Sequence, residues 1–186
     1  LQNTSGAYNA AFGFEALKLN TSAQNNTAFG ACALKSNTTG EKLVAVGALA
    51  LDANTTADDN TAVGFCSLTT NTTGCRNVAI GCGSLKVNLT GDRNTAVGHI
   101  ALEANTSADN NTAVGYAALN VNTTGTALVA VGSNALGANT TASNNTALGR
   151  EALGANTTGT SNTAVGCGAL VANTTADFNT AMGTCS

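Results

Sequence analysis

Apolar and polar residues recur along this chain with a period of 17. Gly stands at residue 13 and at every seventeenth residue from there to Gly183, so the 186 residues divide into eleven coils with no insertion or deletion. Let Leu1 be position 1 of the first coil. Position 11 is then always Ala, from Ala11 to Ala181, and position 12 is always apolar: Phe12, Phe29, Val46, Val63, Ile80, Val97, Val114, Val131, Leu148, Val165 and Met182. Position 17 is Leu in all ten coils that reach it, Leu17 to Leu170. Position 3 is Asn in all eleven coils, and position 9 in nine, with Leu43 and Leu128 as the exceptions. Position 6 is Gly or Ala throughout. The consensus is x-x-N-T-T-G/A-x-x-N-T-A-V-G-x-x-A-L.

A short fixed period describes stacked units, none of which can bury a face alone. Seventeen residues are too few for two packed helices and a turn, and a Gly, two Asn and several β-branched residues per coil oppose helix. The segment N-T-A-V-G is β-branched at alternate positions and bounded by Gly, which predicts one strand of about five residues per coil. A second short strand is expected near positions 16 to 4. The reading is an all-β chain: a parallel β-solenoid, or β-roll, of eleven 17-residue coils, one domain over 1-186, with coils ~4.8 Å apart.

The charges test that register. All seventeen charged residues fall at five coil positions: 1, 7, 8, 14 and 15. Burying an unpaired charge is costly, so these positions should face solvent. Positions 12 and 17 are expected to line the core, with positions 1, 7 and 8 exposed. Two large apolar groups per coil make a thin core, which Asn ladders, end caps or an oligomer would reinforce. Charged residues are 9% of the chain, well below the roughly 25% of an ordinary domain, yet 43% is hydrophobic. That hydrophobic share is too high for a disordered, highly charged segment. The net charge of −3 argues against a nucleic-acid partner held by a basic stripe. No run approaches the ~18 apolar residues of a membrane helix, so no membrane span is expected. Leu1 in place of a start Met suggests a fragment or a processed chain. Neither Leu1 at one end nor Ala181-Met182-Gly183 at the other supplies a polar cap, so end-to-end continuation is expected, in a longer chain or between subunits.

N-T-A-V-G-x-x-A-L with an N-T-T-G turn resembles the head repeats of trimeric autotransporter adhesins and the repeats of bacteriophage tail fibres and other extracellular fibres. The resemblance covers all eleven coils, as in Asn94-Thr95-Ala96-Val97-Gly98 and Asn111-Thr112-Ala113-Val114-Gly115. The adhesin repeat is shorter and carries Val where position 10 here is mostly Thr. What the resemblance implies is a left-handed parallel β-roll, often three chains around one axis, acting as stalk or binding head.

The sequence gives no sign of catalysis. The one His, His99, lies at the variable position 14. There is no G-x-S-x-G elbow, and the Gly-rich stretches lack the Lys of a phosphate loop. Asp58-Asp59 is an isolated acidic pair with no carboxylate column to make calcium sites. Neither an enzyme nor a cofactor or metal is predicted.

The sharpest motif is N-x-S/T, once per coil at Asn3, Asn20, Asn37, Asn54, Asn71, Asn88, Asn105, Asn122, Asn139, Asn156 and Asn173. Coil six has Leu89 at the middle place and still keeps Thr90. Two readings stand: one N-glycan acceptor per coil of a secreted chain, or a structural Asn ladder. Glycans every ~4.8 Å would be crowded, which favours the ladder. Sugar on Thr at positions 4 or 5 is a related reading. The Thr column at position 4 raises ice binding, but positions 4 and 5 are adjacent and alternate faces, and column 10 is broken by Ala10, Val44, Val78 and Val129.

Six cysteines in an extracellular setting favour disulfides. Cys66 with Cys82, and Cys167 with Cys185, lie one coil apart and one residue aside, roughly 5.8 Å between Cα atoms and within the bonding window. These are the expected pairs, with Cys32 and Cys75 free or bridging to another chain. The leading functional expectation is a structural repeat element of an extracellular filament, stalk or adhesin at a cell or virion surface. It would self-associate into a fibre or homo-oligomer, a trimer if the resemblance holds. The alternative is a receptor- or glycan-binding head using column 14, where Phe14, Phe65, His99, Tyr116 and Arg150 gather and Ala31, Ala48 and Ser133 interrupt. Ice binding ranks lowest.

Overall fold

The structure is a computed structural model that describes residues 4–186. Each coil contributes one strand at positions 10 to 12, from β1 (Ala10–Phe12) through β6 (Thr95–Val97) to β11 (Thr180–Met182). The eleven strands form one parallel sheet in chain order. Register is i to i+17 throughout, as Thr95 opposite Thr112 and Val97 opposite Val114. The described residues contain no helix. The fold is therefore the parallel β-solenoid that the 17-residue period predicts.

The strand is three residues long rather than five, and positions 16 to 4 form turns rather than a second strand. Coil-to-coil hydrogen bonds nevertheless continue through those turns: Leu102 N donates to Ala118 O at 2.9 Å and Ala104 N to Asn120 O at 3.0 Å. Strand geometry is lost because positions 15 and 17 are left-handed, as at Ile100 (φ 52) and Leu102 (φ 53). A left-handed residue with a side chain costs roughly 1–2 kcal/mol. Burying a leucine contributes about 1.5–3 kcal/mol, so the position-17 column holds its conformation through packing. Only Gly serves at position 13. Gly115 has φ +133, and a Cβ there would lie 2.7 Å from the Gly132 backbone in the next coil.

One expectation about the core is overturned. Positions 11 and 17 face inward, whereas position 12 faces outward. Ala96 and Leu102 are fully buried, while Val97 is only half-buried. The reason is strand alternation: in a three-residue strand with Ala inside, both neighbours must point out. The interior is filled by Leu17 to Leu153, the Ala or Ser of position 16, the Ala of position 11, and Leu43 and Leu128. Leu170 is partly buried against that cluster. No charged residue is fully buried among the described residues. Of the positions expected to be exposed, only position 8 is so nearly throughout; positions 1 and 7 are half-buried in most coils, as at Asp52, Glu103, Asp92 and Asp109.

Asparagine supplies the rest of the interior. In column 3 each amide nitrogen donates to the column-3 oxygen of the preceding coil, as Asn88 Nδ2 to Asn71 Oδ1 at 2.9 Å and Asn105 Nδ2 to Asn88 Oδ1 at 2.7 Å. The same nitrogen donates to the position-6 carbonyl of its own coil, Asn88 to Gly91 O at 3.0 Å. Column 9 meets the same carbonyl from the coil before, Asn77 Nδ2 to Gly91 O at 2.8 Å. Column-9 oxygens accept from the next backbone amide, Asn94 N to Asn77 Oδ1 at 2.9 Å. Where column 9 of the preceding coil is Asn, the position-6 carbonyl thereby receives two amides. Leu43 and Leu128 interrupt column 9, and Ala57 and Ala142 receive only the column-3 amide, from Asn54 at 3.1 Å and Asn139 at 3.0 Å.

Two stability predictions follow from these columns. Asn94→Ala strands the buried Asn111 amide and removes one donor from Ala108, and should cost about 2–4 kcal/mol in urea unfolding. Asn94→Leu should cost less, because column 9 already holds Leu43 and Leu128 and the added burial offsets the lost bonds. At position 17, Leu102→Ile preserves volume but puts a β-branched residue at φ 53. It should cost more than the ~1.5 kcal/mol ceiling of ordinary volume-conserving swaps, read as a fall in thermal midpoint.

Candidate functional site

The N-x-S/T asparagines are the first candidates, and the structure places them inside. Asn20, Asn37, Asn54, Asn71, Asn88, Asn105, Asn122, Asn139 and Asn156 are buried, and Asn173, in the last coil, is half-buried. Asn3 lies outside the described residues. The nitrogen that would carry a glycan is the one donating in the ladder, as Asn71 Nδ2 to Asn54 Oδ1 at 3.1 Å and to Gly74 O at 2.9 Å. A glycan at these nitrogens and the folded ladder exclude each other, so of the two readings of this motif the ladder is the one the geometry accommodates.

The two hydroxyl columns beside it differ. At position 4 the hydroxyl is spent on the next coil: Thr38 Oγ donates to Thr55 O at 2.9 Å and Thr72 Oγ to Leu89 O at 3.0 Å. At position 5, Thr39, Thr56, Thr73, Thr124 and Thr158 are exposed. An O-linked sugar would therefore find its acceptor at position 5. The ice-binding reading required two continuous Thr columns on one face. Column 10 does face outward, but its partner on the sheet is apolar column 12.

Column 14 is exposed where its large side chains occur. Phe14, Phe65, His99, Tyr116 and Arg150 all face solvent. The structure brings two of the five into ring contact: His99 and Tyr116, one coil apart, stack with centroids 5.7 Å apart and planes 8° from parallel. Phe14 and Phe65 are three coils from each other. Arg150 pairs with Glu151 at 2.6 Å and donates to Cys167 Sγ at 3.4 Å.

All six cysteines are free thiols, so neither Cys66 with Cys82 nor Cys167 with Cys185 is bonded. Columns explain why. The Cys167 sulfur, in column 14, lies against Arg150 of the preceding coil. The Cys185 sulfur lies in column 15, beside Gly168, 3.6 Å from where a Cβ on that glycine would sit. Cys185 N does donate to Cys167 O at 2.9 Å, so these two backbones are neighbours while their side chains occupy separate columns. Cys66 and Cys82 lie in columns 15 and 14 with the coil order reversed. There the bond from the next coil to Cys82 O comes from Ile100 N, at 2.9 Å.

Position 7 carries a device that sequence reading missed. Its side chains accept from the position-7 amide of the preceding coil: Glu41 N to Asp58 Oδ1, Cys75 N to Asp92 Oδ1 and Asp92 N to Asp109 Oδ1, all at 2.7 Å. Asp58 of the acidic pair is thus engaged with backbone. Its neighbour Asp59 faces Lys42 at 4.0 Å. The available signal was that position 7 holds Asp, Glu, Ser or Thr in eight of eleven coils. Among the described residues no group of three or more His, Cys, Asp or Glu could hold a metal ion. A shallow groove runs beside Gly137 and Gly154, where column 1 loses its side chains, and is bordered by Asn120, Asn134 and Glu151.

The densest charge cluster is Glu15 with Lys18 at 2.5 Å and Lys35 at 2.8 Å. Hydrogen bonds from Lys18 first and Lys35 second hold the Glu15 carboxyl at a pKa of about 2, against an ordinary 4.5. Asp52 moves the other way: desolvation raises it, only partly opposed by Lys35, and its Oδ1 is buried without a partner. The depressed Glu15 value gives stability that is complete above about pH 4.5 and lost as pH falls through about 2. The difference in thermal midpoint between the native chain and Glu15→Gln should therefore be constant above about pH 4.5 and shrink toward zero near pH 2. Asp52→Asn should behave oppositely, since a raised carboxyl pKa takes stability away as pH rises.

The chain matches no protein-family model, no curated protein and no solved structure.

Proposed function

We propose that the chain is a structural repeat element of an extracellular filament, stalk or adhesin at a cell or virion surface, with no catalytic role. The observation that carries this reading is the uninterrupted register: one parallel sheet joins all eleven strands at a constant offset of 17 residues. Chemical variety is confined to columns such as 8, 14 and 15, while the inward columns barely change. Such a stack lengthens by adding coils without altering its cross-section, which suits a spacer. Immunogold labelling of cells or virions that make the protein tests this. Label along external filaments or the outer surface is expected, and label confined to the cell interior would contradict it.

A second reading is a glycan-binding head, favoured by the exposed His99–Tyr116 stack, since aromatic faces are apolar platforms with polar tips. A glycan array probed with the full chain should then give signals that Tyr116→Ala removes. Equal signals from both proteins, or none, would contradict this reading.

A further inference from the structure

The outward face of the sheet is built from two columns, 10 and 12. Column 12 is apolar in all eleven coils although no coil uses it inside. Phe12, Phe29, Ile80, Val131, Leu148 and Met182 are exposed; the other five are half-buried. A mid-stack side chain is covered on its flanks by the residues above and below, so the 37–40% left at Ile80, Val131 and Leu148 is the outward tip. Other outward columns show what lack of constraint looks like. Column 8 holds Tyr8, Lys42, Asp59, Arg76, Ala127 and Phe178 at equivalent places. An outward position held to large apolar residues eleven times over has a use outside the coil.

Column 10 is Thr in seven coils, Val in three and Ala in one, and neither column contains a charge. With ~4.8 Å between strands, eleven coils make an uncharged strip ~50 Å long and roughly 10 Å wide, or about 500 Å². Two such strips face to face remove about 1,000 Å², which reaches the lower bound for a specific interface.

We propose that this face binds a second copy of the chain, sheet against sheet. The inference rests on the structural reading above and names its partner. Only a surface with one ridge per coil matches this one along its full length, and a second copy has that spacing by construction. A two-fold axis parallel to the stack sets column 12 of each copy opposite column 10 of the other, at the ~10 Å of packed sheets. In the first two coils large then meets small, Phe12 opposite Ala10 and Phe29 opposite Thr27, while Val46, Ile80 and Val131 meet Val44, Val78 and Val129. Both copies run in the same direction, so coils can continue at either end without disturbing the pairing.

The test is sedimentation of the full chain from about 1 to 100 µM. Val63→Glu, Val97→Lys and Val131→Glu together place alternating charges on the face, two coils apart. Arg76→Glu, Asn110→Lys and Asn144→Glu do the same on column 8 as a control. The native chain and the control should have the mass of two copies or a multiple of two, and the face variant the mass of one. Far-ultraviolet circular dichroism should show the same β-structure in all three. Val97→Ser with Val131→Ser, which adds no charge, should shift the concentration of half-association upward at least tenfold. A native chain that is monomeric at 100 µM, or a face variant that keeps the native mass, overturns the proposal. Surface labelling of cells is scored independently, so failure of the pairing and failure of the filament reading are separate outcomes.

Discussion

Everything in this molecule depends on how buried backbone and amide groups are satisfied in a cross-section only one coil thick. A 17-residue coil encloses too little volume for a purely apolar core, and its corners turn carbonyls inward. The position-6 carbonyl is the critical one. It receives the amide of its own coil's column-3 asparagine and that of the preceding coil's column-9 asparagine, as Gly74 does from Asn71 and Asn60. Asparagine suits this task because one short side chain carries both donor and acceptor, so it can bond to its copy in the neighbouring coil and still cap the turn. A buried polar group left unpaired costs roughly 1–3 kcal/mol, so a register slip would be penalised in every coil at once.

The ladders dictate where other residues can go. Once columns 3, 9 and 17 occupy the interior, only Ala fits inside the strand at position 11, and its two neighbours are forced out. The strand therefore ends after three residues, and the chain closes the coil through left-handed residues at positions 8, 15 and 17. Outside, each column is a separate surface with its own chemistry: carboxylates capping amides at position 7, mixed residues at 8 and 14, free hydroxyls at 5, and an uncharged strip of mostly Thr at 10 beside apolar side chains at 12.

Much of this was legible in the sequence, and the misses share one cause. The period gave the coil count, the parallel stacking and the buried leucines directly, and the charges marked columns outside the core, of which column 8 is exposed while columns 1 and 7 are half-buried in most coils. The asparagine ladder was readable because Asn recurs at a position where surface variety would otherwise be expected. Column 12 departs from expectation because a column that is always apolar need not be an inward one. Burial in the core and burial against another molecule leave the same mark on a sequence. Ala11 was the signal available, since its invariance shows which strand residue meets the tightest space. The cysteines were paired by distance alone. Cys167 and Cys185 do have adjacent backbones, but which column each sulfur occupies follows from left-handed turns that composition does not reveal. The position-7 caps were hidden by an alternation of Asp, Glu, Ser and Thr that resembles free variation.

The central claim is that the column-3 and column-9 side-chain amides are buried hydrogen-bond donors that bind coil to coil. Hydrogen exchange at asparagine side chains, read by nuclear magnetic resonance with nitrogen-15 asparagine, tests it at the atoms concerned. Asn54, Asn71, Asn77, Asn88 and Asn94 should exchange only with global opening, orders of magnitude slower than Asn25, Asn110 and Asn144, which face solvent. Side-chain amides of Asn71 and Asn88 that exchange as fast as that of Asn25 would contradict the account.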